Sequence, residues 1–176
     1  LAILPSIALP LDASLTRPEY LRVILNTLKE YFDVVLVDTG NNISFFTLEA
    51  MRASDEVLLV CSKSKGAAAT VQKLTKTLAD MKNPVDPSKL NLVLNNPNGS
   101  DSVFTSQSFA SVLKMNLVAE IPYDERVRMA HEDGHVFSIY NKKSDFAKAC
   151  IKLAQSICPL WIVVPNRNDG GRAKNL

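Results

Sequence analysis

The chain has 176 residues, 47% hydrophobic and 22% charged, with 20 basic against 18 acidic side chains and a net charge of +2. These proportions suit one globular core and exclude the strongly basic balance of a chain that binds nucleic acid by bulk charge. Cys61, Cys150 and Cys158 show no CxxC or Cys/His spacing, which excludes a disulfide framework or zinc site and predicts buried, reduced thiols in a cytoplasmic protein.

No run approaches 18 apolar residues, and the opening LAILPSIALPLDAS lacks the basic start of a signal peptide. Because the chain opens on Leu1, a fragment of something longer is expected. Leu1 to Leu4 reads as a short strand, followed by a loop punctuated by Pro5 and Pro10. A helix follows. Thr16 and Glu19 have capping-box spacing with Pro18 in the first turn, and Leu21, Ile24, Leu25, Leu28 and Phe32 make an apolar stripe.

Val34 to Val37 is an uninterrupted apolar run with no alternation, which predicts a strand covered on both faces that delivers Asp38 to a sheet edge. Thr39, Gly40, Asn41 and Asn42 turn the chain there. Further elements are a helix over 44–52, a strand over 56–61 and a helix over 67–81 with Ala67, Val71, Leu74, Leu78 and Met81 on one stripe. After the turn-rich NPVDPSK come a strand over 90–95, a weaker helix near 102–113, a strand over 117–121 and a short helix carrying Val127 and Ala130. The last helix, about 144–157, presents Phe146, Ala149, Cys150, Leu153 and Ile157. Helix and strand alternate with connections too long for hairpins, so the class is α/β with right-handed crossovers, a mostly parallel sheet and helices on both faces.

In a parallel sheet the strand-end groups share one rim: Asp38 with Thr39, Ser62 with Lys63 and Lys65, Asn95 with Asn96, and Asp124. Open α/β sheets bind ligands there, and a carboxylate among hydroxyls, amides and ammonium groups suits a phosphorylated ligand carrying a divalent cation. The sequence contains neither GxxxxGK[ST] nor GxGxxG, the loops that cradle phosphates. His131 and His135 lie four apart, but HEDGH is not HExxH and Gly134 interrupts the helix between them, so no metal site is read there.

Phe32 with DVVLVDTG, then TLEAMRASDEVLLV (47–60), LNLVLNN and EIPYDERVRMAHEDGHVF (120–137), in this order and spacing, resemble the carboxyl-terminal two-thirds of the MinD/ParA class of deviant Walker P-loop ATPases. The opening LAILPSIALPLDAS resembles the strand and loop before the Walker B helix of that class, and DTGNN resembles the variant in actinobacterial ParA-like proteins, including those near specialised secretion systems. The resemblance covers about residues 1–157, an incomplete nucleotide-binding domain, and leaves 158–176 as a partly disordered tail.

The resemblance implies ATP and Mg as cofactors of the complete protein. Asp38 corresponds to the Walker B acid that positions magnesium, and Thr39 to Asn42, with Thr39 and Gly40 foremost, to the switch segment that senses the γ-phosphate. Asn95, with Asn96 beside it, corresponds to the residue that reads the adenine edge, and Pro122 and Asp124 to the IPxD loop beside the base. This class places its phosphate-loop strand beside the Walker B strand, so residues 1–176 alone are expected to leave a gap between 33–38 and 56–61 with unpaired ladder groups. The chain as given is therefore expected not to hydrolyse ATP.

Implied partners are a second copy in a homodimer when complete, a secretion or partition protein, and DNA through Lys63, Lys65, Lys73 and Lys76. Membrane binding by CPLWIVVP is not expected, because Pro159 and Pro165 break it. The implied activity is ATP-dependent dimerisation that positions DNA, a membrane complex or a secretion machine. A non-hydrolysing scaffold of the same fold is the alternative.

Overall fold

The structure, a computed structural model, describes residues 2–4, 17–96 and 104–158. Its centre is a parallel sheet of three strands, β1 (Val57–Cys61), β2 (Leu90–Asn95) and β3 (Asn116–Ile121), in the order β1-β2-β3. Val57 to Cys61 pair residue for residue with Leu90 to Leu94, and the β2–β3 ladder slips by one residue between Leu92 and Val93. Helices α1 (Pro18–Tyr31) and α2 (Phe45–Ala53) precede the sheet, α3 (Lys65–Asp80) and α4 (Ser106–Leu113) connect its strands, and α5 (Arg126–Glu132), α6 (Phe137–Tyr140) and α7 (Asp145–Ile157) follow.

The helices start where hydroxyl side chains satisfy orphan amides. Ser44, Ser64, Thr105 and Ser144 each accept the amide of the residue three positions on. One face of the sheet, with Leu92 wholly buried and Leu94 nearly so, lies under Val71 of α3 and Phe109, Ala110 and Leu113 of α4. Leu48 and Met51 of α2 extend that core to Val57, Leu78 and Leu90. Val85, a loop residue in NPVDPSK, is buried in the same cluster. On the opposite face Val93 is also buried, and α7, which contributes to neither cluster, runs along β3. The expected α/β class with helices on both faces is the observed one.

Several local expectations change. Residues 2–4 form no strand, and Ile3 and Leu4 are exposed. Leu1, Thr16 of the capping box, and the tail 159–176 lie outside the described residues; Arg17 occupies the cap of α1 without a side-chain bond. Of the α1 stripe only Leu25 is buried, while Ile24 and Phe32 are exposed. The three cysteines are half-buried rather than buried, and burial raises the Cys61 and Cys150 thiols above their ordinary range. The short helix α6 was not foreseen.

The largest difference concerns Val34 to Val37. The segment is extended, but it belongs to no sheet among the described residues, and Leu36 is 82% exposed. The expectation of a strand covered on both faces fails here for lack of a neighbour, and the expected gap takes its place. A groove of about 230 Å³ separates Val34–Val37 from Ala53–Glu56 at the start of β1.

What fixes α1 and α2 to the rest is therefore side-chain chemistry. Glu49 of α2 accepts Arg22 of α1 at 2.6 Å and Arg52 at 2.8 Å, and Arg52 also donates to the carbonyl of Asn83 at 2.7 and 3.0 Å. At the carboxyl end of α2, Lys29 donates to the Ala53 carbonyl and Lys89 to that of Ser54, both at 2.9 Å, cations placed where the helix dipole favours them.

The hydrogen bond from Arg22, reinforced by Arg52, holds the Glu49 carboxyl below its ordinary value of 4.5. A depressed carboxyl stabilises the fold above its unfolded value and loses that contribution as pH falls through the folded one. Glu49→Gln should thus destabilise the chain by about 1 kcal/mol at neutral pH. In urea titrations at descending pH the difference from wild type should shrink below pH 4.5 and vanish in acid.

Candidate functional site

Because the strands are parallel, the ends of β1, β2 and β3 open onto one carboxyl rim, and the segment ending at Asp38 delivers its own end across the groove. The turn after Asp38 is locally organised. The Gly40 amide donates to the Asp38 carboxylate at 3.0 Å, and Gly40 sits at φ +63°, a conformation that favours glycine. Thr47, in the first turn of α2, donates its hydroxyl to the Asn42 carbonyl at 2.8 Å while its amide donates to Ser44. Thr47 is buried, so the segment from Asp38 to Asn42 is anchored at both ends, and Asp38 itself stays exposed. Sequence reasoning did not single out Thr47; its signal was the position three residues after the capping Ser44.

Asn95 ends β2 exposed to solvent, and the Asn96 amide continues the ladder by donating to the Ile121 carbonyl at 3.1 Å. Pro122 follows β3 directly, next to that ladder end. Asp124 is committed to the fold. Its carboxylate accepts the Arg126 amide at 3.1 Å and the Arg126 guanidinium at 2.9 and 2.6 Å, and the guanidinium hydrogen bond holds the carboxyl below its ordinary range. Arg126 also lies over the Phe137 ring, 5.3 Å from its centre, and Phe137 packs edge-on against Phe146 of α7. The chain Asp124–Arg126–Phe137–Phe146 thus ties the loop after β3 to the last helix.

Lys63, read as part of a basic strip, points elsewhere. It donates to Glu120 of β3 at 2.8 Å and to Ser106 of α4 at 3.1 Å, and Ser106 donates to the other Glu120 oxygen. Lys65, Lys73 and Lys76 are exposed on α3. His131 lies on α5, which ends before Gly134 at φ +71°, and His135 packs against Tyr140. Among the described residues no group of three or more His, Cys, Asp or Glu is placed to hold a metal. A lone exposed carboxylate such as Asp38 fits a magnesium ion that arrives with phosphate oxygens and water, since Mg²⁺ is often held by one or two carboxylates plus its substrate. The carboxyl ends of the sheet strands therefore carry Lys63, Asn95, Asn96 and Pro122, while Asp38 to Asn42 form the turn that follows the extended segment lining the groove. Asp124 is spent on Arg126.

Solved structures share this architecture. A ParA family ATPase from Chlorobium tepidum matches with a TM-score of 0.72 at 21% identity, over 87% of this chain and 61% of that one. The cell division ATPase MinD of Pyrococcus furiosus matches with 0.65 at 27% identity, over 80% and 58%. MinD of Pyrococcus horikoshii, determined in complex with Mg-ADP, gives 0.66 at 24% identity, over 82% and 58%. An uncharacterized protein of Methanocaldococcus jannaschii is 29% identical over 62 residues, 35% of this chain and 24% of that protein. The model of the AAA domain family matches residues 4–92, half of the chain.

The chain belongs to the MinD/ParA-type P-loop ATPase family.

This MinD/ParA-type chain spans less than two thirds of the length of each of these relatives. The family match covers α1, the Asp38 turn, α2, β1, α3 and the first half of β2, so it includes most of the groove lining. No helix among the described residues is long and apolar enough to cross a membrane.

The Lys63–Glu120 pair joins the loop after β1 to β3 across the end of β2. The hydrogen bond from Lys63, then that from Ser106, lowers the Glu120 carboxyl from its ordinary value of 4.5. Glu120 is part-exposed, so a double-mutant cycle of Lys63→Met and Glu120→Gln should return a coupling of about 0.5–1 kcal/mol at low salt. The coupling should shrink in molar salt and be lost as pH falls below 4.5, as read by chemical denaturation.

Proposed function

We propose that residues 1–176 are part of a ParA/MinD-like ATPase whose ATP-dependent dimerisation positions DNA, a membrane complex or a partition or secretion machine. The carrying observation is the extended apolar segment Val34–Val37, which lines an open groove and runs directly into the exposed Asp38. In this reading Asp38 holds magnesium with the nucleotide's phosphates, Thr39 to Asn42 respond to the terminal phosphate, and Asn95, Asn96 and Pro122 meet the base. Parallel strands lie about 4.8 Å apart. One strand in the groove would put three spacings, about 14 Å, between Asp38 and Asn95, the two ends of one extended ligand. Magnesium, when bound with the nucleotide, supplies charge neutralisation on the phosphates.

The phosphate cradle has no counterpart in this sequence and is assigned to sequence outside residues 1–176. The 176-residue chain alone does not turn ATP over in this reading. DNA contact, if it belongs to the cycle, falls to Lys65, Lys73 and Lys76, since Lys63 is held by Glu120 and Ser106. The Thr39-Gly40-Asn41-Asn42 turn, which departs from the family's usual switch, favours a second reading as a non-hydrolysing scaffold of the same fold.

The test is phosphate release. Residues 1–176 should give none above background. Fused behind a strand and phosphate loop of a ParA-type ATPase, the chain should turn over, and Asp38→Ala should then lower kcat by about two orders of magnitude, the scale of losing one preorganised charge-stabilising group. Steady turnover by the isolated chain overturns the proposal, and a fusion that binds ATP without hydrolysing it selects the scaffold.

A further inference from the structure

Among the described residues Thr47 is the buried polar side chain, 4% exposed, and its hydroxyl stands in the middle of a directed set of hydrogen bonds. Thr47 Oγ1 donates to the Asn42 carbonyl at 2.8 Å. A hydroxyl has one proton to give, so the 3.1 Å contact between Ser44 Oγ and Thr47 Oγ1 runs from Ser44 to Thr47. Ser44 Oγ in turn accepts the Thr47 amide at 3.1 Å. The order is therefore fixed: Ser44 hydroxyl to Thr47 hydroxyl to Asn42 carbonyl.

This set joins a rigid point to a turn. Leu48, next to Thr47 in α2, is core, packed in one cluster with Met51, Val57 and Leu78, so the Thr47 hydroxyl is carried by a helix that the core holds. At the other end of the turn the Gly40 amide donates to Asp38 Oδ1 at 3.0 Å, with Gly40 in the left-handed region at φ +63°. That bond fixes the direction of the carboxylate through one of its oxygens. Only Thr39, Gly40 and Asn41 lie between the residue whose carboxylate is aimed and the residue whose carbonyl Thr47 holds. With both ends tied, the short turn has little conformational freedom left. A group that orients a metal-binding carboxylate from behind sets its affinity for the ion without touching the ion.

We propose that Thr47 is a positioning residue for Asp38: its hydroxyl holds the Asn42 carbonyl and so keeps the turn in the conformation in which the Gly40 amide aims the Asp38 carboxylate, with Oδ2 left to a cation. That the cation is magnesium on a nucleotide rests on the ATPase reading; the coupling of Thr47 to the Asp38 turn does not.

In the 176-residue chain the Gly40 amide should exchange with solvent about tenfold more slowly than in an unstructured peptide, the protection of one charge-assisted hydrogen bond. Thr47→Val keeps the shape and removes the hydroxyl. It should abolish that protection, while the amides of Leu92 and Val93 in β2 keep their wild-type rates and report an intact core. Thr47→Ser, which returns the hydroxyl without the methyl, should restore it. Gly40 exchange at the peptide rate in wild type overturns the proposal, a reading that needs no variant should Thr47→Val fail to fold. So does protection that survives Thr47→Val or that Thr47→Ser does not restore, because the hydroxyl is then not what holds the turn.

The functional half is read in the phosphate-loop fusion. There Thr47→Val should raise the magnesium concentration for half-maximal turnover by about tenfold, the scale of losing a group that supports a metal ligand, and Thr47→Ser should return it to the wild-type value. Unchanged magnesium dependence overturns this half. A fusion that does not turn over at all counts against the ATPase reading instead, and the Gly40 comparison, which involves no nucleotide, still decides on Thr47.

Discussion

A strand inside a parallel sheet needs ladder partners on both sides, because each backbone amide and carbonyl withdrawn from water without one carries a free-energy cost. β2 meets this requirement, with β1 on one side and β3 on the other, and it is the strand whose side chains are most completely buried. β1 meets it on one side only, and Val34–Val37 on neither among the described residues. Burial follows the same gradient. Leu92 and Leu94 are core, Val60 is exposed and Leu36 is more exposed still. The apolar composition of 34–37 is thus matched to a neighbour.

The charged groups on the rim divide into those that hold the fold and those that face outward. Asp124 holds Arg126 at the start of α5, and Lys63 with Ser106 and Glu120 ties β1's loop to β3 and α4. Lys63 is far from Glu120 in sequence and Arg126 is two residues from Asp124, yet both carboxyls are depressed first by a specific side-chain hydrogen bond. Among the described residues Asp38 and Asn95 make no long-range side-chain bond, and both are exposed.

Much of this was legible in sequence. The three sheet strands appear within a residue of their expected limits, because uninterrupted apolar runs bounded by turns leave few alternatives. The α3 stripe likewise places Val71 and Leu78 in the core. Other features depend on tertiary partners that a local pattern does not contain. Val34–Val37 is as uninterruptedly apolar as Val57–Val60 of β1, and the absence of a paired neighbour distinguishes them. Val85 sits in a turn-rich loop yet fills the space between Leu78 and Leu90. Lys63 looks like any surface lysine until β3 brings Glu120 beside it. At the candidate site, the position of Asp38 was readable from its strand-end setting, while Thr47, which fixes the far end of its turn, was visible only as one more polar residue in a helix start.

Asp38 is consequently held by side chains where a complete sheet would hold it by ladder bonds. Its turn is pinned to α2 by Thr47; α2 is pinned to the sheet by Leu48 and Met51 in the core and by Arg52 and Lys89 at its end; α1 is pinned to α2 by Arg22. Of these links the apolar one and the neutral Thr47–Asn42 hydrogen bond are insensitive to salt and pH, and the apolar one acts at α2, a loop away from the carboxylate. A strand entering the groove would add a ladder on each side of it and so fix the direction of 34–37 relative to β1, independently of the α2 anchor. Ladder and anchor together would leave Asp38 little freedom to move relative to Asn95. The occupant of the groove is for this reason the element that sets how rigidly the two ends of the rim are held against each other.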